Sequence, residues 1–150
     1  IGTPSTIKSG SYDRALKALV PDIKVFSKAC PLFVPLVEEG WCNDTITEQV
    51  ARRYLEGFLS SDIDTLLLGC THYPLLKGII GRVMGDKIMI VDSARSTAKV
   101  VAGMLGNATG THGNQSVSYF LSDLSPVFIK LGEVFLGKKM DQVYEVDLCV

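Results

Sequence analysis

TLLLGCTHYP, at residues 65–74, is the stretch that decides the fold of this chain. Its first four residues are apolar or β-branched and predict a buried strand, and an apolar helix pattern follows Tyr73. Cys70 is therefore expected at the carboxyl end of a strand, where open α/β sheets bind their ligands. The N-terminus of the following helix carries a partial positive charge that favours a thiolate over a thiol.

His72 and Pro74 support this interpretation. His72 lies two residues after Cys70, close enough to exchange a proton, and Pro74 suits a first helical turn because its missing N–H costs nothing there. Cys70 and His72 are thus a candidate catalytic pair. The structural alternative is a buried strand-end cysteine with an incidental histidine beside it, since free cysteine is among the most buried residue types.

Outward from this segment, strands alternate with helices. Strands are predicted at residues 23–27, 64–68, 88–91, 117–121 and 143–148. Helices are predicted at residues 6–19, from Thr45, after Tyr73, from Ser93 as N-cap, and at 126–136 before a left-handed cap at Gly137. This alternation predicts an α/β fold, with a parallel sheet that has helices on both faces.

Three local patterns refine these expectations. TITE at residues 45–48 reads as a capping box that starts a helix. The apolar stripe of that helix is Ile46, Val50, Tyr54 and Phe58. The segment from Pro31 to Pro35 should be a turn or short extended piece that aims Glu38, because each proline removes a backbone donor. Residues 106–116 are rich in glycine, asparagine and threonine, which indicates a flexible loop.

Composition excludes several classes of protein. The 150 residues have a formal net charge of −1 and no long charge run, which argues against non-specific binding to nucleic acid or to an anionic membrane. No apolar stretch approaches the length of a membrane span, and nothing resembles a signal peptide. Four widely spaced cysteines and two histidines argue against a structural zinc site or other metal site. Free thiols without an export signal indicate the cytoplasm.

Five blocks of the sequence resemble one known family, the glutamate racemases. LGCTHYPLL at residues 68–76 is similar to the family's second-cysteine motif, and residues 1–12 resemble the strand-to-helix segment that opens its second half. Residues 30–40 resemble a proline-bounded apolar segment that ends in a functional Glu. Residues 91–94 and 135–137 also fit, and all the blocks occur in the family's order.

The resemblance implies a domain organisation. Glutamate racemases have two similar α/β lobes, and the chain returns to the first lobe at its C-terminus. Residues 1–92 would then form the second lobe, and residues 93–150 a C-terminal segment that completes the first lobe. The chain begins with Ile1 in what looks like the tail of a strand, so a missing N-terminal part is expected.

The resemblance also implies a chemistry. Inverting an α-carbon requires an acid/base group on each face, and the family uses two cysteines, one per lobe, without a cofactor. Cys70 corresponds to the second-lobe thiol, which acts on the L-glutamate side. His72 matches the histidine that assists this thiol, and Glu38 matches a Glu that orients or tunes His72. Thr71 would bind substrate through its hydroxyl and its backbone N–H.

The remaining candidate residues have a structural interpretation as well, or no assigned role. Thr3 and Thr6 match hydroxyl positions that would contact the substrate carboxylate, but turn and N-cap chemistry is an equal interpretation. Cys30, Cys42 and the terminal Cys149 match no catalytic position, and His112 has no assigned role. The family's Asp-Ser-Gly and Cys-Asn-Thr segments do not occur in these 150 residues, so half a site and an inactive chain are expected.

The implied biology is D-glutamate supply for peptidoglycan in a bacterial cytoplasm, by an enzyme that is a homo-oligomer. Its partner is a small-molecule substrate, glutamate, with no nucleic acid, no membrane and no cofactor. Three alternatives remain open. A related racemase could act on aspartate or a hydantoin, and a non-catalytic binding lobe would have a Cys70 of ordinary reactivity. A thiol hydrolase also needs an oxyanion hole, which the motif alone does not establish.

Overall fold

A computed structural model describes residues 1–106 and 116–147 of the chain. The chain divides into two compact units, Ile1–Met104 and Leu105–Val150. The lobe boundary expected near Asp92–Ser93 refers to a two-lobed protein and stays a prediction. His112, Cys149 and most of the loop expected at residues 106–116 lie outside the described residues.

The first unit is built on a parallel arrangement of strands. Strand β1 (Thr65–Leu68) pairs in parallel with β2 (Met89–Asp92), so that Leu68 lies opposite Asp92. Gly2 forms parallel bridges with Gly69, just after β1, and with Ala29 on its other side. The carboxyl ends of these segments therefore meet at one edge. The predicted α/β class with parallel strands is confirmed.

Helices of the first unit supply most of its core. They are α1 (Pro4–Ser9), α2 (Ser11–Leu19), α3 (Phe33–Glu38), α4 (Thr45–Leu59), α5 (Lys77–Met84) and α6 (Ser93–Leu105), and a 3-10 turn (Tyr73–Leu76) precedes α5. Helices α4 and α5 pack together, and α3 packs on the 3-10 turn. The predicted stripe after Tyr73 is largely confirmed, since Leu76, Ile79, Ile80 and Val83 are buried.

The second unit has a β-α-β order of its own. Strand β3 (Tyr119–Leu121) pairs in parallel with β4 (Val143–Glu145), and α7 (Pro126–Leu136) lies between them in sequence. The side chain of Ser125 caps α7 by accepting a hydrogen bond from the N–H of Phe128 at 3.1 Å. Gly137 ends the helix in the left-handed conformation at φ 63°, as expected.

Three predictions in the first 40 residues were wrong. The helix expected at 6–19 is two helices, because Gly10 adopts φ 60° and its N–H bonds the oxygen of Ile7, which ends α1. No strand forms at 23–27, because pairing with Gly2 begins only near Ala29. The segment from Pro31 to Pro35 is the expected turn only at Pro31 and Leu32, and its last three residues begin α3, since Pro35 lies in the first turn, where N–H groups have no intrahelical acceptor.

Helix boundaries further along differ by one residue from expectation. Asp44, rather than Thr45, caps α4 by accepting from the N–H of Ile46 at 2.7 Å. The stripe is shifted accordingly, because Ile46 is 50% exposed. The buried residues of α4 are Thr47, Ala51 and Leu55. Likewise Asp92, not Ser93, caps α6, and β2 is less buried than expected, with Met89 66% exposed.

Candidate active site

The candidate site lies at the carboxyl ends of neighbouring parallel segments. The bridge between Gly2 and Gly69 makes Thr3 and Cys70 the next residues out of adjacent segments. The N–H of Gly69 donates to the oxygen of Ile1 at 2.8 Å and holds the two segments in this register. The structure therefore brings the Thr3 turn and the Cys70 turn to the same edge, as open α/β sheets do with their ligand sites.

The turn after β1 differs in one respect from the sequence expectation. The N–H of Tyr73 donates to the oxygen of Cys70 at 3.2 Å, which starts the 3-10 turn with Pro74 in its first positions. Helix α5 begins only at Lys77. A helix dipole acts within about one turn of the helix end, and α5 starts seven residues after Cys70 rather than directly after Tyr73.

His72 and Glu38 come together although they are far apart in sequence. The distance from His72 Nε2 to Glu38 Oε1 is 3.5 Å, and the side chains are 24% and 45% exposed. On the other side of the ring, His72 Nδ1 lies 3.4 Å from the Thr71 hydroxyl. The carboxylate and the hydroxyl thus lie against the two ring nitrogens of His72, an arrangement that can orient an imidazole for general acid/base chemistry in the turn that carries Cys70.

Thr3 and Thr6 form one small hydrogen-bonded unit. The Thr3 hydroxyl oxygen accepts from the N–H of Thr6 at 3.2 Å and lies 2.9 Å from the Thr6 hydroxyl. Thr3 is the N-cap of α1, so the capping role that sequence reasoning left open is present. Contact of these hydroxyls with a substrate carboxylate stays a prediction.

The described cysteines differ in their surroundings. Cys30 is fully buried, and this burial raises the pKa of its thiol to about 11. Burial also raises the pKa of the partly buried Cys42. Cys70 is partly exposed at the edge described above. Among residues 1–106 and 116–147, no group of three or more His, Cys, Asp or Glu side chains could hold a metal ion.

Asp92 and Lys77 form a pair that sequence reasoning did not single out. Asp92 is buried at the end of β2, and its Oδ2 lies 2.9 Å from Lys77 Nζ. A hydrogen bond from the Arg95 N–H, followed by one from the Lys77 side chain, holds the pKa of the Asp92 carboxyl below its usual value. The signal available in the sequence was an acid directly after an apolar strand.

Tyr12 and Gly69 form a close contact at the same edge. A Cβ atom at Gly69 would lie 2.9 Å from the Tyr12 ring and 3.0 Å from the oxygen of Ile1. Any larger residue would force the Tyr12 ring or the Ile1 backbone to move. This explains why a glycine directly precedes Cys70.

The chain is similar in sequence to known proteins. No family model matches the chain. A protein of Geobacter metallireducens named glutamate racemase is 47% identical over 153 residues, and one of Syntrophus aciditrophicus with the same name is 43% identical over 151 residues. Each alignment includes 99% of this chain. The chain is a homologue of the glutamate racemases. The family resemblance of its motifs is thus confirmed.

The fold of the chain is also similar to solved structures of glutamate racemases. The Francisella tularensis glutamate racemase, crystallised with D-glutamate, matches 99% of the chain with a TM-score of 0.84 and 32% identity. Glutamate racemase RacE1 of Bacillus anthracis matches with a TM-score of 0.82 and 34% identity. The chain spans about 56% of the length of the curated relatives and 57% of the Francisella structure.

No helix in the described part of the chain is both long and apolar enough to cross a membrane.

Proposed function

We propose that this chain supplies one half of a glutamate racemase active site, with Cys70 as the acid/base thiol for one face of the substrate. The observation that carries the proposal is the 3.5 Å pair of His72 and Glu38, beside Cys70 at the carboxyl edge of parallel strands. The names of the racemase relatives support glutamate as the substrate.

The proposed reaction is a proton exchange without a cofactor. Cys70, as a thiolate, takes the α-proton of L-glutamate and leaves a carbanion. A second thiol gives its proton to the opposite face and becomes the thiolate, so only the configuration of the α-carbon has changed. In the reverse direction, the two thiols exchange roles.

Neighbouring side chains have supporting roles in this proposal. His72 passes a proton to or from Cys70, and Glu38 holds the imidazole in place through their 3.5 Å contact. Thr71 binds the substrate through its hydroxyl and its backbone N–H. Thr3 and Thr6 bind a substrate carboxylate from the adjacent turn, which requires their mutual hydrogen bonds to rearrange or to be shared.

The second thiol is not found among the described cysteines. Cys30 is buried with a raised pKa, and Cys42 matches no catalytic position of the family. We therefore propose that this second thiol belongs to a Cys-Asn-Thr segment of the first lobe, and that these 150 residues alone do not racemise glutamate. In this proposal, residues 1–92 act as the second lobe and residues 93–150 complete the first.

The wider setting belongs to the same proposal. A bacterial racemase of this kind supplies D-glutamate for peptidoglycan, works in the cytoplasm and forms a homo-oligomer. The bacterial relatives named glutamate racemase support the bacterial part of this proposal.

The deciding experiment measures α-proton exchange of L- and D-glutamate in heavy water. It compares the full-length gene product with these 150 residues. Exchange with inversion is expected in the full-length protein and not in the 150 residues. Cys70→Ser should reduce it by about 10²–10⁴-fold, the usual contribution of a positioned acid/base group. Cys42→Ser is the matched control and should leave it unchanged.

Each contrary result is informative. Exchange by the 150 residues alone would contradict the half-site proposal. A full-length protein that exchanges aspartate or a hydantoin but not glutamate would identify a related racemase. A full-length protein without any exchange, in which Cys70 alkylates slowly and glutamate has no effect on the rate, would indicate a binding lobe.

A further inference from the structure

The two members of the acid/base pair come from different segments of the first unit. Glu38 is the last residue of α3, whereas His72 lies in the turn between β1 and the 3-10 turn. Their 3.5 Å separation therefore depends on whatever holds the start of the 3-10 turn against α3. Both side chains are partly exposed, so their own packing constrains them only in part.

Tyr73 joins these two segments. It directly follows His72 and is fully buried. Its hydroxyl donates to the backbone oxygen of Cys30 at 2.9 Å. The same oxygen accepts the N–H of Phe33, the first residue of α3, at 3.2 Å. One carbonyl thus receives a hydrogen bond from the start of α3 and another from the residue beside His72.

The Tyr73 ring makes a second contact with α3. It meets the Phe33 ring edge to face, with centroids 5.2 Å apart and planes at 88°. Burial, together with the nearby Cys30 and Cys70 thiols, raises the pKa of the Tyr73 phenol, so the phenol stays protonated and remains a donor. A buried tyrosine with a satisfied hydroxyl is a rigid link, since ring packing and the hydrogen bond both constrain it.

We propose that Tyr73 is a positioning residue that holds His72 against Glu38, through its hydrogen bond to the Cys30 carbonyl and its ring contact with Phe33. The inference deepens the proposed function and rests on it for the catalytic consequence. The geometric part concerns the folded protein alone and can be tested without substrate.

The first measurement is the ¹⁵N spectrum of the His72 ring in the full-length gene product, assigned by the resonances lost in His72→Gln. Tyr73→Phe removes only the hydroxyl. It should move the Nε2 resonance most of the way towards its position in Glu38→Gln. In a Glu38→Gln background, Tyr73→Phe should move it no further, because the partner that Tyr73 aligns is already lost.

Tyr54→Phe is the matched control. The Tyr54 hydroxyl accepts from the N–H of Leu32 at 3.3 Å, and its ring also meets Phe33 edge to face, but Tyr54 belongs to α4. This variant should lower stability to a comparable extent and leave the His72 resonances in place. A purely structural Tyr73 would behave in the same way, with a lower melting temperature and unchanged His72 resonances, and that result would overturn the proposal.

Phe33→Leu is the second variant, because it keeps the Tyr73 hydroxyl bond and removes the ring contact. It should move the Nε2 resonance in the same direction by a smaller amount. If Tyr73→Phe does not fold, Phe33→Leu decides alone, and an unmoved resonance in the folded variant contradicts the proposal.

The catalytic arm uses the heavy-water exchange assay. Tyr73→Phe should lower kcat for glutamate exchange about tenfold with KM nearly unchanged, as expected when a misplaced group weakens only the proton-transfer step. A rise in KM at unchanged kcat would overturn this part. If the wild-type protein exchanges no glutamate, the proposed function fails, while the His72 spectra still decide the positioning role.

Discussion

Helices α5 and α7 occupy equivalent places in their units, yet they differ in burial. Each lies in sequence between two parallel strands, β1 and β2 for α5, and β3 and β4 for α7. Helix α5 buries four apolar residues, whereas none in α7 is buried. Apolar residues left exposed in α7 are Val127, Phe128, Val134, Phe135 and Leu136. An apolar sequence is therefore enough to form a helix in this chain but not to bury it.

The difference extends to the units as a whole. Every buried residue in the described part of the chain lies at or before Asp92. Helix α5 has α4 and the 3-10 turn as packing partners, and the candidate site is built on that packed part. A proton transfer needs donor and acceptor atoms held at a fixed distance, and close packing of the surrounding residues holds them there. The His72–Glu38 pair lies in the packed unit, as this requirement leads one to expect.

The largest predicted effect compares the same substitution in the two units. Leu55→Ala in the core of α4 should lower the free energy of unfolding by about 3 kcal/mol, through lost burial and a residual cavity. Leu136→Ala, at a position 45% exposed in α7, should cost less than about 1 kcal/mol. Urea denaturation followed by circular dichroism measures both. Equal costs would mean that α7 is covered in solution, which would remove the contrast between the units.

The next effect compares two glycines. Gly69→Ala would force a Cβ against the Tyr12 ring and the backbone oxygen of Ile1, and should cost about 2 kcal/mol. A Cβ atom at Gly132 in α7 would meet only the flexible Met140 side chain, with the sulfur at 2.6 Å and Cε at 3.6 Å. A gain in helix propensity of up to about 1 kcal/mol should offset that contact. Thermal unfolding of the two variants measures the contrast, and a destabilised Gly132→Ala would show that Met140 cannot move.

The smallest effect compares the caps of α6 and α7. Asp92 has a depressed pKa, so its charge stabilises the folded chain above about pH 4, and this contribution is lost as the pH falls further. Asp92→Asn keeps a capping oxygen and removes the charge. It should cost about 1 kcal/mol at neutral pH and progressively less in acid.

Ser125→Ala is the control for that titration. The Ser125 cap is neutral, so its loss should cost about 1 kcal/mol at every pH. Unfolding curves from pH 7 to pH 3 distinguish the two. A cost of Asp92→Asn that does not change with pH would contradict the role assigned to its charge.

Much of the local structure was predictable. The strand before Cys70, the stripe after Tyr73, and α7 with its Gly137 cap all follow from periodicity and end signals close in sequence. Predictions failed where two local signals competed. Asp44 and Thr45 are both good caps, and Gly10 stands within an apolar pattern that reads as one helix. In such cases neighbouring segments decide, through the bonds and contacts they offer.

The candidate site divides in the same way. The sequence by itself determined that Cys70 follows a strand with His72 two residues on, because these are neighbours along the chain. Its motifs also marked Glu38, Thr71, Thr3 and Thr6 through their family resemblance.

Only the tertiary structure decided that Glu38 lies 3.5 Å from His72, that Asp92 pairs with Lys77, and that Tyr73 links the Cys70 turn to α3. The physical reason is the range of the interactions. Periodicity and capping act over a few residues, whereas these contacts join groups 15 to 43 residues apart, which only packing brings together. The residue types determine which chemistry is possible, and the packing of the first unit determines which side chains come into contact.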